Sequence, residues 1–300
     1  MKYLITGGAG FIGSHICETL CKQGHEIICI DNFINGNKDN LKDWWNPKTC
    51  TFVNESIYNY DKILPYFKDV DTVFHNAASK CLVCRNNPLE DLMTNSRGSW
   101  CVFEASRKMG VRKVIYASTG SVCNGNPKSF YGVTKYSAEA YLNAFKCYYP
   151  DFNYSIIRYF HVYGKRQSEL GVIPKFTTNI LNNIPIIIQG SGLQERRFTH
   201  VSDIVKANLL ISENDSTNGK IFNCVSDFKI NIKELAYKIY NIMKKQSLIK
   251  YEPQRPDEVM NFDDISNDEL KKIGFEFMND FDYGLRDTIE YYEENYDKKE

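Results

Sequence analysis

Seven residues near the start of the chain restrict what it can fold into more than any others: Gly7-Gly8-Ala9-Gly10-Phe11-Ile12-Gly13. They follow the apolar run Lys2-Tyr3-Leu4-Ile5-Thr6 and open an amphipathic stretch over 11–23. From Gly8 onward the spacing is GxGxxG. Glycines so placed permit a tight strand-to-helix turn and let a pyrophosphate approach the backbone at the positive end of the helix. A glycine turn alone is common; the strand before it and the helix after it make this one specific. The next apolar run, 26–30, is followed by Asp31, 18 residues after Gly13. An acid there accepts hydrogen bonds from the adenosine ribose and repels the extra phosphate of NADP. Asn32 and Phe33 bring no compensating charge. The expected cofactor is therefore NAD, held by Gly7, Gly10, Phe11, Ile12, Gly13 and Asp31.

The rest of the first half repeats that strand–helix rhythm. Strands are expected at 2–6, 26–30, 50–53, 71–75, 112–117 and 154–159, with helices at 11–23, within 37–44, and at 58–66, 88–108 and 131–148. Such alternation predicts an α/β fold, a Rossmann-type doubly wound parallel sheet. Runs such as Ile27-Ile28-Cys29-Ile30 lack polar alternation, as strands covered on both faces do. After about 165 turn-rich segments separate further helices near 173–182, 202–212, 231–245 and 280–293. The expected division is an NAD-binding domain over 1–165, carrying the catalytic residues, and a smaller mixed α/β substrate lobe over 166–300, with chain segments crossing between them.

Charge and cysteine content narrow the setting. Lys plus Arg number 37, as do Asp plus Glu, so no global field draws nucleic acid or an anionic membrane. No run approaches the roughly 20 apolar residues of a membrane span, and nothing ahead of the first strand reads as a leader. Ten cysteines share no repeated pair spacing; Cys81-Leu82-Val83-Cys84 is an isolated CxxC with no partner pair for zinc. Buried apolar thiols in a reducing compartment, the cytoplasm, are the expectation, with no metal.

Tyr131-Gly132-Val133-Thr134-Lys135 opens the helix after the fifth strand. Residues four apart share a helix face. A phenol titrates near about 10 and is a poor base at neutral pH. An adjacent ammonium favours the phenolate, so Tyr131 can take a proton from an alcohol as hydride leaves its carbon. The spacing alone proves little, since Tyr240 and Lys244 share it. Its position after the dinucleotide loop and after Ser118-Thr119-Gly120-Ser121 gives it meaning, because ligands gather at the carboxyl ends of such strands. Thr119 is the hydroxyl expected to bond the reacting alcohol. His75, ending the fourth strand, is expected to be structural. The Trp44-Trp45 pair reads equally as surface packing or as a nucleobase stack.

Taken in order, these motifs resemble the extended short-chain dehydrogenases/reductases, in particular their nucleotide-sugar epimerase/dehydratase group of the UDP-glucose 4-epimerase-like type. Its markers here are the segment Thr6–His15, Asp31-Asn32-Phe33, the segment His75–Lys80, Tyr131 with Lys135, and the segment Arg158–Gly164. Gly171-Val172-Ile173-Pro174, the segment Arg196–Asp203, and Arg255-Pro256-Asp257-Glu258 complete them. The resemblance implies further cofactor contacts at Asn32, Ser56, Ile57, Asn76, Ala77, Ala78, Lys80, Asn95, Ser118, Tyr131, Lys135, Tyr159 and Phe160. It implies substrate contacts at Lys80, Thr119, Tyr131, His161, Val172, Arg196, Arg255 and Glu258, the two arginines gripping a diphosphate with their planar forks. A nucleotide sugar is the implied partner, and a homodimer the implied assembly.

The departures from the family pattern also carry information. Gly120 and Ser121 stand where the family's 4,6-dehydratases place the acid that handles water loss. Only eight residues separate Val122 from Tyr131, where the family commonly has a longer loop. His161 stands where Asn is usual, Ser56 where an Asp commonly meets adenine, and Gly171 where galactose-type epimerases carry Asn. The expected activity is an NAD-dependent nucleotide-sugar 4-epimerase working through a transient 4-keto sugar, with Thr119, Tyr131 and Lys135 catalytic. A C4 dehydrogenase or ketoreductase, a 4,6-dehydratase, and a non-catalytic NAD sensor are the alternatives.

Overall fold

The computed structural model describes residues 1–79, 87–123, 125, 127–245, 247–254, 265–278 and 280–296. Its chain divides into two units. The first comprises Met1–Tyr159 together with Val205–Asn223, and the second Phe160–Ile204 with the residues from Cys224 onward. The sequence placed the division at 165/166 with chain segments crossing between the two, but did not say which segments cross.

The first unit is built on a seven-stranded sheet. Its strands are β1 (Lys2–Thr6), β2 (Glu26–Ile30), β3 (Cys50–Val53), β4 (Thr72–His75), β5 (Lys113–Thr119), β6 (Tyr154–Tyr159) and a later one, β11 (Ile221–Cys224). Their order is β11-β6-β5-β4-β1-β2-β3, with β1 parallel to both β2 and β4. The chain winds outward through β2 and β3, then restarts on the other side of β1 with β4. That reversal opens a crevice at the carboxyl ends of β1 and β4, where this topology holds ligands. All four residues of β4 are buried, consistent with a sheet covered on both faces. The apolar core beneath it gathers Leu4, Ile28, Val73, Val114 and Ile156 with Val102, Phe103 and Leu142 from the helices.

Residues 205–223 belong here because two adjacent cations tie them down. The buried Lys113 Nζ donates to Ile211 O at 2.8 Å, Asn214 O at 2.8 Å and Thr217 Oγ1 at 2.7 Å. Arg112 bridges Asp71 at 3.2 Å and Asp215 at 3.1 Å. Sequence patterning showed the helix but not these long-range anchors.

The covering helices are α1 (Phe11–Lys22), α2 (Tyr60–Ile63), α3 (Pro88–Asp91), α4 (Ser99–Lys108) and α5 (Phe130–Tyr148). The sequence predicted one helix over 88–108. Instead a π-helical segment, Leu92–Gly98, joins α3 to α4. The cause is polar: the Asn95 side chain turns inward to bond Asp91, Ser79 and Thr134. Wide π turns of this kind recur at functional sites.

The second unit has α6 (Val172–Leu181), the start of α7 (Val201–Glu213), α8 (Ile232–Met243), α9 (Asp268–Lys272) and α10 (Phe281–Tyr296). Three two-stranded ladders accompany them: β7 (Val162–Tyr163) with β10 (Thr199–His200), β9 (Glu195–Arg196) with β12 (Ile230–Asn231), and β8 (Ile186–Gln189) with β13 (Ile249–Glu252). Ile173, Phe176, Ile188, Leu235, Ile239 and Leu285 form its own core. No helix among the described residues is long and apolar enough to cross a membrane.

Candidate active site

The glycine loop is packed so that only hydrogen fits at two positions. Gly7 has φ +68°, and a Cβ there would lie 2.7 Å from Ala77 N. At Gly13 a Cβ would fall 2.2 Å from Gly7 O. Gly10 N donates to Gly7 O at 3.0 Å, closing the turn, and Gly10 in extended conformation starts α1 without a side-chain cap. The first amides of α1 are thus left for a ligand.

Asp31, 7% exposed, accepts from Ala9 N at 3.0 Å and Phe33 N at 2.8 Å. Burial pushes its carboxyl above the usual value, and the Phe33, Ala9 and Gly10 amides oppose that push. From the loop after β4, Asn76 accepts from the Tyr159 hydroxyl at 3.4 Å, while its buried Nδ2 has no partner among the described residues. Asn208 fixes the same tyrosine, its Nδ2 donating to the hydroxyl at 2.8 Å.

One cleft of about 340 Å³ joins these groups. Gly7, Gly10, Phe11, Ile12, Gly13, Asp31, Asn32, Ile57, Asn76, Ala77, Ala78, Ser118, Tyr131, Lys135 and Tyr159 all line it. The residues fit a dinucleotide: a helix N-terminus for phosphate, a carboxylate for ribose, and an unpaired Asn76 amide that asks for an acceptor. The sequence overlooked Glu55, Tyr58, Ser79, Glu90 and Thr94, which also line the cleft. They lie in irregular or π-helical backbone or, for Glu90, in the single turn of α3, where no periodicity marks the inward face.

Other expected residues lie elsewhere. Asn95 is fully buried one layer below the cleft, its amide taken by Asp91, Ser79 and Thr134. Ser56 is not in the lining; its hydroxyl accepts from Asn32 Nδ2 at 2.9 Å. Thr119 is not in it either, and caps the short turn Gly120–Val122, accepting from Ser121 N at 3.3 Å. Phe160, His161, Val172 and Arg196 belong to the second unit. There burial and the Arg196 guanidinium push His161 down to about 3, so its ring is neutral. Lys80, Arg255 and Glu258, like Cys81 and Cys84, lie outside the described residues.

Along α5, Tyr131 and Lys135 of the lining and Glu139 beyond it follow at four-residue intervals. Lys135 is 1% exposed, with its Nζ 4.3 Å from the centroid of the Tyr116 ring. Burial pulls Lys135 down to about 7, against the attraction of Glu139 and Asp91. Glu139 receives the Ser118 hydroxyl at 2.5 Å and both Nε (3.0 Å) and Nη2 (2.6 Å) of Arg158. His75 is buried between Thr6 Oγ1 at 2.7 Å and Ser99 Oγ at 2.9 Å, and burial holds its pKa well below the usual value, a structural role. Trp44 is packed in, its indole N–H on Asn40 O at 2.8 Å.

A parallel sheet with a glycine loop, a buried acid at the end of the second strand and a tyrosine–lysine pair on one cleft is the frame of a dinucleotide-dependent enzyme. Residues 3–224 match the NAD dependent epimerase/dehydratase family, and the chain belongs to that family, with NAD as its cofactor. A Methanocaldococcus jannaschii protein with the provisional name UDP-glucose 4-epimerase is 40% identical over 229 residues, 69% of this chain and 72% of its own length. The UDP-N-acetyl-alpha-D-glucosaminuronate decarboxylase of Bacillus cytotoxicus is 30% identical over 318 residues, 98% of each chain. The crystal structure of a Thermotoga maritima UDP-glucose 4-epimerase with UDP-glucose superposes with a TM-score of 0.92 at 31% identity, covering 99% of this chain and 100% of that one.

Proposed function

We propose that the protein is a UDP-sugar 4-epimerase working through a transient 4-keto sugar. The observation that carries this reading is the Tyr131–Lys135 face of α5 opening on the same cleft as the glycine loop and Asp31. Tyr131 takes the proton of the sugar C4 hydroxyl and later returns it. Lys135, as an ammonium on the same helix face, favours the phenolate. The glycine loop, Asp31 and Asn76 would hold NAD in the cleft, where it would supply the uptake and return of the C4 hydride. Ser118, held by Glu139, lines the cleft at the end of β5 and stiffens that strand end beside Tyr131. For the second unit we keep the substrate contacts that the resemblance implies, Arg196 for the diphosphate and His161 and Val172 for the sugar, while Arg255 lies outside the described residues. Gly120 and Ser121 supply no acid for water loss, which favours epimerisation over dehydration.

The assembly we propose is a homodimer, supported by exposed apolar side chains on neighbouring helices: Trp100 on α4, and Phe130, Val133, Tyr136 and Tyr141 on α5. The proposed compartment is the cytoplasm, supported by eight described cysteines that are all unpaired thiols. The test is mass-resolved chromatography of UDP-, dTDP-, GDP- and CDP-sugars incubated with protein and NAD. A new isomer of unchanged mass from a UDP-sugar is expected. Loss of one water, of carbon dioxide or of two hydrogens would replace the reading with dehydratase, decarboxylase or dehydrogenase.

A further inference from the structure

Asp91, the last residue of α3, is fully buried under the cleft. Its Oδ1 accepts the Ser79 hydroxyl at 2.6 Å and the Asn95 amide. Its Oδ2 is buried with no hydrogen-bond partner among the described residues. A carboxylate placed so, with no cation bonded to it, is costly to maintain and calls for an explanation.

Among the described residues Asp91 acts on the cation Lys135, and the groups around Lys135 can be compared one by one. From β4, His75 is neutral. From β5, Tyr116 turns its ring face to Lys135 Nζ and donates its hydroxyl to Lys135 O at 3.3 Å. On α5 itself, Tyr131 lies one turn before Lys135 and Glu139 one turn further on. Glu139 attracts Lys135 more strongly than Asp91 does when each is taken singly. Yet both Glu139 oxygens are occupied by Arg158 and Ser118, so that its carboxylate is shared with an ion-paired guanidinium. Asp91 has no such partner. Thr134, beside Lys135 in sequence, bonds Asn95 at 3.2 Å, so the cluster around Asp91 is tied to α5.

We propose that Asp91 is a positioning residue for the proton chemistry of Tyr131: its carboxylate is the uncommitted negative charge that keeps Lys135 an ammonium beneath the cleft. The π-helical segment follows directly, since it turns Asn95 inward to hold Asp91 Oδ1 while Oδ2 stays free. The proposal rests on the proton-transfer role given above to Tyr131 and Lys135. Without Asp91, Lys135 releases its proton at lower pH, and the phenolate of Tyr131 loses its support.

The test is pH-dependent acetylation of Lys135 by acetic anhydride, read by peptide mass spectrometry on the full chain without sugar, for the wild type, Asp91→Asn and Asp91→Glu. In Asp91→Asn the labelling midpoint should fall by about one pH unit or more, and Asp91→Glu should restore most of it. Asp91→Ser replaces Asp91→Asn if that variant does not fold. With a turned-over sugar, the alkaline limb of kcat should move down in step while KM stays within about twofold. An unmoved midpoint in a folded neutral variant overturns the proposal, as does a fall in kcat that is equal at every pH. Because labelling needs no sugar, a shifted midpoint in a protein that turns over no nucleotide sugar supports Asp91 and sinks the epimerase reading instead.

Discussion

Gly13→Ala separates the packing of the glycine loop from ordinary helix energetics, because the two predict opposite signs. Gly13 lies within α1, where exchanging glycine for alanine normally stabilises by about 1 kcal/mol. Here the added methyl would meet Gly7 O at 2.2 Å, against the 3.0 Å below which real contacts of this kind essentially never fall. The loop must therefore give by about 1 Å, an overpacking that typically costs about 1–3 kcal/mol. The Gly10 N to Gly7 O bond at 3.0 Å is strained in the process, about 1 kcal/mol more. The net is a loss of about 1–3 kcal/mol, at about 2–4 °C in Tm per kcal/mol for a domain of this size. Losing one well-placed amide bond to a phosphate weakens NAD about 10- to 100-fold. Thermal unfolding without ligand and calorimetric titration with NAD measure both. A Tm equal to or above wild type, with unchanged NAD affinity, would refute the claim that this turn is closed to anything larger than hydrogen.

Three further outcomes are expected. Tyr131→Phe should abolish turnover while leaving the NAD dissociation constant within about twofold, since only a hydroxyl is removed; residual turnover above a hundredth of wild type would count against its role as base. Glu139→Gln leaves Arg158 buried without its partner and should destabilise by about 3 kcal/mol in urea, whereas pairing it with Arg158→Met should recover much of that loss. His161 titrates near about 3 in the folded chain against about 6.5 unfolded, so between those values only the unfolded state binds the proton. Its share of stability is complete above about pH 6.5 and falls as the pH drops through that window. His161→Asn should flatten this part of a Tm-versus-pH curve, and an unchanged slope would place the titrating group elsewhere.

The chain announces its cofactor site better than its site geometry. Gly7, Gly13 and Asp31 were legible because a backbone requirement and a charge sign are written directly in residue type. The six strands that begin the sheet were legible from unbroken apolar runs. Asn95 was placed with the cofactor by its motif, yet it is turned down towards Asp91, and no local pattern records which way a side chain leaves a π turn. Ser118 and Thr119 are neighbours on a strand end, where successive side chains take opposite faces. The resemblance put both at the site; Ser118 does line the cleft, but sequence alone did not reveal that Thr119 caps the turn beyond it. The return of residues 205–223 was hidden for a different reason: Lys113 and Arg112 read as ordinary surface charges until their partners, about a hundred residues away, are brought to them.

That return has a consequence for how the molecule is made. Synthesis runs from the amino terminus, and early segments begin to fold while later ones are still being added. The strand that flanks β6 is β11, so a nascent chain that has emerged only as far as residue 200 holds a sheet whose outer edge is bare. Until Ile221 follows, Lys113 also lacks the three acceptors that satisfy it in the finished protein. A bare parallel edge is an invitation to mispairing. The interval between β6 and β11 is therefore when this chain has most to gain from a chaperone, and a truncation at 165 would make that interval permanent.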